Sequence, residues 1–212
     1  MSTPTFANRV SSWNRGRKWE LFLDSVAPTP STTILDVGYQ DQEYQEADNY
    51  LEKHYPYQGQ ITALGVDPPE AFQARYPEVT VVHYPGHEWP FEDQSFDVVW
   101  SNAVLEHVGD HERQLLFLRE ARRVGKRLFI TTPNRHFPIE IHTRTPLLHL
   151  MMDKPRFDAY LERHGKGWAA GDYMNLLSAH DLRELCAEAD IEQPRIVRNR
   201  LGGVTLDFVV IS

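Results

Sequence analysis

Five short apolar runs, each closed by a turn-forming or polar residue and spaced by helical or loop-like stretches, decide what this 212-residue chain can fold into. They are Thr33–Val37 before Gly38, Ile61–Val66 before Asp67-Pro-Pro, Val79–Val82, Phe96–Trp100, and Arg127–Thr132 before Pro133. The first, second, fourth and fifth lack the in–out alternation of a strand with one wet face. Such runs fit strands covered by helices on both sides. Helical spacing accompanies them. Trp19, Phe22, Leu23 and Val26 recur at i, i+3, i+4 and i+7, ahead of Pro28. Tyr44, Ala47 and Leu51 predict a second helix, and Asp110 to Val124 carries Leu115, Leu118 and Ala121 on a third. The first ten residues are expected to be mobile. Strand alternating with helix predicts an α/β fold: a doubly wound parallel sheet.

The pattern changes between residues 134 and 177, which are rich in Pro, His, Arg and aromatics. This stretch is read as a cap, or lid, inserted after the fifth strand of a single domain spanning 1–212. Ser178 with Asp181 forms a capping-box pattern. Leu182, Leu185, Cys186 and Ala189 then follow at helical spacing, so Cys186 reads as a core residue. Two closing strands, around 195–199 and 204–211, flank Gly202-Gly203, a pair suited to a tight reversal.

Composition narrows the partners. A formal charge of -8 from 30 acidic and 22 basic side chains repels polyphosphate, which argues against nucleic acid. Arg15, Arg17 and Lys18 are too small a cluster to reverse that. No run nears the ~18 apolar residues of a membrane span, and the N-terminus has no apolar secretory core. One cysteine excludes an internal disulfide and a zinc-binding cysteine cluster. A cytoplasmic location is the simplest expectation.

In an open α/β sheet, ligands bind beyond the carboxyl ends of the strands. Those ends carry Asp36, Gly38 and Tyr39; Asp67 and Pro68; Gly86 and His87; Ser101, Asn102, Glu106 and His107; and Arg135 with His136. A carboxylate at the tip of the second strand can accept hydrogen bonds from both hydroxyls of a ribose, which makes Asp67 a candidate; capping the turn before Pro68 is its bland alternative. His107 is a candidate base because imidazole titrates near neutrality. Glu106 would orient it or hold acceptor hydroxyls. Arg135, His136, Glu140 and His142 are candidate substrate contacts.

Several of these segments resemble one family. Ile34-Leu-Asp-Val-Gly38 resembles the first motif of class I S-adenosylmethionine-dependent methyltransferases, and Ala63-Leu-Gly-Val-Asp67 resembles their second. Residues 89 to 108, WPFEDQSFDVVWSNAVLEHV, closely resemble the fourth-strand block of the type 11 group. The resemblance implies a Rossmann-like, seven-stranded sheet with a reversed last strand. It also implies S-adenosyl-L-methionine as cofactor and methyl transfer to a small-molecule acceptor, read here as O-methylation. Carried over by position, Asp36 orients the first loop and Gly38, with Tyr39, lets the backbone approach the cofactor. Asp67 takes the ribose hydroxyls, with Pro68 beside it. The Tyr84-to-Trp89 stretch, with Gly86 and His87, borders the adenine. Ser101 and Asn102 line the cofactor floor, and Glu106 and His107 face the acceptor. Metal-using relatives carry an extra acid where this chain has Ala103, so no metal is expected.

Two departures keep a second reading open. The first loop has one glycine, followed by Tyr39, Gln40, Asp41, Gln42 and Glu43, so acids crowd the place of a cofactor carboxylate. Pro85 stands where the family has an acid for the adenine amine. The alternative is a binding or scaffolding domain that kept the fold with weak or no cofactor binding. A nicotinamide-dependent oxidoreductase ranks lower, because no G-x-G-x-x-G loop is present.

Overall fold

The computed structural model describes residues 6–86, 88–140, 143, 145–171 and 174–212. In chain order the elements are α1 (Phe6–Val26), β1 (Ile34–Val37), α2 (Tyr50–His54), β2 (Ile61–Gly65), α3 (Glu70–Arg75), β3 (Thr80–His83), β4 (Val98–Asn102), α4 (His111–Val124), β5 (Leu128–Pro133), β6 (Ile139–Glu140), β7 (Thr145–Pro146), α5 (Leu148–Met151), α6 (Lys154–Arg163), α7 (Ala179–Glu188), β8 (Arg195–Leu201) and β9 (Val204–Ile211). Seven strands form one sheet in the order β3-β2-β1-β4-β5-β9-β8. β1 pairs in parallel with both β2 and β4, and β2 with β3, whereas β9 runs antiparallel to β8. This is the class I methyltransferase, Rossmann-like sheet with its reversed last strand. Among the described residues no helix is long and apolar enough to cross a membrane.

The chain divides into two compact units, one formed by residues up to Ser101 with 123–129, the other by 102–122 with 130–212. The first unit is built on aromatic packing. Trp100 and Phe129 stack with ring centroids 4.9 Å apart, and Phe22 meets both edge-on at 4.9 and 5.3 Å. Phe22 is fully buried, and burying such a ring contributes roughly 1.5–3 kcal/mol. The Arg127 guanidinium donates to the carbonyls of Ser25 and Val26, satisfying the last turn of α1. Ala27 then turns left-handed (φ 48°) before Pro28.

Two helix expectations are corrected. Helix α1 already begins at Phe6, so part of the stretch expected to be mobile is helical. The helix expected across Tyr44, Ala47 and Leu51 forms only over Tyr50–His54. The Asp48 carboxylate accepts from the backbone N–H groups of Tyr44 (2.8 Å) and Gln45 (3.0 Å), and Asn49 sits at φ 44°. Short polar side chains have captured backbone groups that a helix would need.

In the second unit, the Ser178 side chain accepts from His180 and Asp181, while Asp181 accepts from the Ser178 N–H, completing the capping box at the start of α7. Leu182, Leu185 and Cys186 of that helix are buried. Burial pushes the Cys186 thiol up to about 11, which suits a packing role over a nucleophile. Gly202 and Gly203, both at positive φ, close the β8–β9 hairpin. Phe157, Leu161, Ala169 and Met174 form a separate buried cluster.

Candidate functional site

The strand ends of the first unit hold most of the expected cofactor residues. Gly38 leaves β1 at φ 101°, with its N–H donating to Leu64 O at 2.8 Å. That conformation is open to glycine and closed to most side chains. Asp67 follows β2, exposed, and its carboxylate makes no hydrogen bond among the described residues. Pro68 and Gly86 are exposed beside the strand tips, and a Cβ placed on Gly86 would lie 3.6 Å from Val66. Val66 is 59% exposed, an apolar surface next to the Asp67 carboxylate, and its carbonyl accepts from His83 Nε2 at 3.0 Å. His87 lies outside the described residues.

Tyr39 is placed differently from an open ligand contact. It is buried, its hydroxyl donates to the Asp67 carbonyl at 2.6 Å, and its ring packs on Phe72. A Cβ on Gly65 would meet the Tyr39 ring at 2.6 Å, so Gly65 is what lets the ring lie against β2. Ser101 is fully buried and donates to Val37 O at 3.0 Å, tying β4 to β1.

The glycine-poor loop is held by side chains. Asn49 accepts from Gln40 N at 2.9 Å and donates to Gln40 O at 2.8 Å and to Glu43 at 3.0 Å. Glu43 also accepts from Tyr76 at 2.6 Å and pairs with Lys53 at 2.9 Å and Arg75 at 3.6 Å. Burial opposes its charge, yet hydrogen bonds from Tyr76, Lys53 and Asn49 hold it below the usual carboxylate range. One of the loop acids is therefore compensated within the loop itself.

Asp36 is buried in β1, and the carboxyl it faces is Glu52 of α2, itself fully buried. Burial pushes Asp36 up to about 6, against the lowering effects of a hydrogen bond with Glu52 and of the Arg15 charge. Burial, and then the Asp36 charge, raise Glu52 well above the carboxylate range. Of the two carboxyls, Glu52 is the one that holds its proton to higher pH. Glu52 was missed in the sequence because nothing marks which face of a five-residue helix turns inward.

The second unit holds the other candidates. Ala103 turns left-handed at φ 61° directly after β4, which swings the chain into the turn Leu105–His107. Asn102 accepts from Thr131 at 2.5 Å. Glu106 is fully buried, accepts from Thr132 at 3.1 Å, and lies 3.9 Å from His107 Nε2. It can orient the imidazole, whose side chain is 22% exposed, but it does not reach solvent itself.

Two residues that sequence reasoning missed fasten this turn. Gln114 donates to Leu105 O at 3.2 Å and to Asn175 O at 2.9 Å. Asn175 donates from its backbone to Glu106 O at 2.7 Å and from its side chain to Gly109 O at 2.9 Å. Both also line a cavity of about 530 Å³. Arg135 and His136 line it too, with His111 from α4 and His149 from α5. The structure thus brings Arg135 and His136 together on one cavity. Glu140 lies in β6, where only its backbone is described, and His142 lies outside the described residues.

Comparison with known proteins agrees with this architecture. Residues 44–128 match the family model described as a methyltransferase domain. A tRNA U34 carboxymethyltransferase of Shewanella sediminis is 28% identical over 131 residues, which is 58% of this chain and 38% of that protein. The chloroplastic tocopherol O-methyltransferase of Arabidopsis thaliana is 32% identical over 105 residues, 47% of this chain and 28% of that protein. This chain therefore matches well under half the length of either relative. A SAM-dependent methyltransferase from Methanosarcina mazei superposes with a TM-score of 0.58 at 17% identity, covering 90% of this chain and 95% of that one.

Proposed function

We propose that this chain, whose residues 44–128 match a methyltransferase domain and whose sheet has the class I methyltransferase order, binds S-adenosylmethionine and methylates a small-molecule acceptor, with a hydroxyl oxygen as the receiving atom. One observation carries the cofactor reading: the uncommitted Asp67 carboxylate at the tip of β2, flanked by the apolar surface of Val66 and by the glycine turns at Gly38 and Gly86. An exposed carboxylate beside an apolar face suits a ribose diol and its attached base.

When bound, the cofactor supplies a methyl group activated on a sulfonium; the protein's task is positioning, which can contribute ~7–11 kcal/mol. Asp67 accepts the ribose hydroxyls, and Pro68, Val66 and Gly86 border the base. Asn102 holds the floor through Thr131. His107 takes the proton from the acceptor hydroxyl, and buried Glu106 keeps its ring in place. Arg135 and His136 contact the acceptor.

The acidic balance of the chain supports a small acceptor over the tRNA named for one relative. The competing reading, a binding or scaffolding domain, rests on Tyr39 and the side-chain-filled first loop. Calorimetric titration with S-adenosylhomocysteine separates the two; absence of heat at millimolar ligand would sink the enzyme reading. If it binds, transfer of labelled methyl to a panel of hydroxylated small molecules and to a tRNA transcript tests the acceptor class. Label in the transcript alone would overturn the small-molecule reading.

A further inference from the structure

The cavity of the second unit has two unlike walls. One is apolar. Phe157 and Met174 belong to the buried cluster beneath it, and Leu150, 42% exposed, carries the apolar surface outward. Leu147 and Met151, neighbours of Leu150 in the chain, are 51% and 78% exposed and extend that character beyond the cavity.

The other wall is rich in acceptors. Asp153, Asp158, Asp181 and Glu184 line it, against only two full cations among the described lining residues, Lys154 and Arg135. Each cation is already paired with one of these acids, Lys154 with Asp158 at 2.9 Å and Arg135 with Asp181 at 3.2 Å. Asp153 caps α6 by accepting from Arg156 N at 3.1 Å, and it and Glu184 have partners of their own, so the surplus negative charge on this wall is at most about one carboxylate, that of Glu184 when His180 is neutral. Their partners are exposed and lie outside the lining, Arg156 at 3.8 Å from Asp153 and His180 at 3.3 Å from Glu184. His149 adds to the same polarity. Its Nε2–H donates to the Phe137 carbonyl at 3.0 Å, which leaves Nδ1, buried and without a hydrogen-bond partner, to present a lone pair whenever the ring carries a single N–H. A wall with surplus negative charge and lone pairs favours a donor that is itself positive.

We infer that this cavity receives the methyl acceptor and that the acceptor is an amphiphilic amine that also carries the receiving hydroxyl, its ammonium group set against the carboxylate wall and its apolar body along Phe157, Met174 and Leu150. The inference rests on the methyl-transfer reading only in naming the occupant as the acceptor. A cavity of about 530 Å³ is of the size that holds a small organic ligand. The Phe157 ring and the Met174 thioether are also surfaces that tolerate a cation close by.

The test is calorimetric titration of the full chain with three probes of equal chain length below their micellar concentrations: octylamine, octanol and octanoate. Octylamine should bind roughly tenfold or more tightly than octanoate, a gap of about 1.4 kcal/mol. Glu184→Gln should lower octylamine affinity severalfold and leave octanol unchanged. Asp158→Asn, which frees Lys154, should narrow the gap further by improving octanoate; it also serves if the first variant melts early. Octanoate binding as well as octylamine, a gap insensitive to both variants, or no binding by any probe would overturn the inference. Titration of the same sample with S-adenosylhomocysteine keeps the two readings apart. Cofactor heat without octylamine heat overturns the cavity assignment alone. Octylamine heat without cofactor heat sustains the cavity and removes methyl transfer.

Discussion

Glu52→Gln should stabilise the protein at neutral pH, although it removes a fully buried polar side chain's native identity. Burial, and then the facing Asp36, raise Glu52 well above the carboxylate range in the folded chain, while in the unfolded chain it ionises near its ordinary 4.5. A carboxyl whose folded pKa lies above its unfolded value favours folding at low pH, and that contribution is lost as pH rises. At pH 7, some 2.5 pH units above 4.5, the loss is at most about 3.4 kcal/mol at 1.36 kcal/mol per unit. Glutamine has the same shape, bears no such cost, and brings an amide that can donate to Asp36. The variant is expected to be roughly 1–3 kcal/mol more stable than the parent at pH 7, with the difference shrinking to near zero at pH 4.5. Urea unfolding followed by tryptophan fluorescence at several pH values between 4.5 and 8 measures this, with Trp100 as a buried reporter. Taking the difference between the two proteins cancels His54, whose pKa burial and Lys53 lower and which therefore favours folding as pH rises. Asp36 does not cancel, because it is coupled to Glu52, so the difference reads the titration of the pair. A variant less stable than the parent at pH 7, or a difference flat across the range, would refute a raised Glu52 pKa.

Three further outcomes are expected. Phe22→Ala removes a ring in contact with both Trp100 and Phe129 and should cost roughly 3–5 kcal/mol in the same urea assay. Asp67→Ala should weaken S-adenosylhomocysteine binding by ~1.5–3 kcal/mol, the worth of hydrogen bonds to a charged acceptor, with melting temperature little changed; unchanged affinity removes the ribose assignment. His107→Ala should lower turnover far more than cofactor affinity, and the reverse pattern in a methyl-transfer assay would argue against a base at that position.

The strands were legible because a strand covered on both faces must be apolar along its length, and the short runs bounded by turn-forming or polar residues separated them from buried helix segments. Ile34–Val37, Ile61–Gly65 and Leu128–Pro133 appear within a residue or two of where their composition puts them. The α7 cap was legible for a similar reason: Ser178 and Asp181 bond to backbone three residues away, and local chemistry is written locally. The candidate positions at the strand tips followed from strand order alone, which is how Asp67, Gly38 and Glu106 could be named. What their side chains do there was decided by packing. Tyr39 turned into the floor because Gly65, 26 positions later, leaves room for its ring. The loop after Gly38 gave up a helix for a network joining Asn49, Glu43, Lys53 and Tyr76, which belong to different elements. Asp36 met Glu52, and Gln114 met Asn175, across separations of 16 and 61 residues. Sequence by itself determined which segments could be strands, where they had to end and which polar groups would stand at those ends. Tertiary structure alone decided which of those groups are spent on one another and which remain for a ligand, because burial and partner distance are properties of the packed chain and not of any stretch of it.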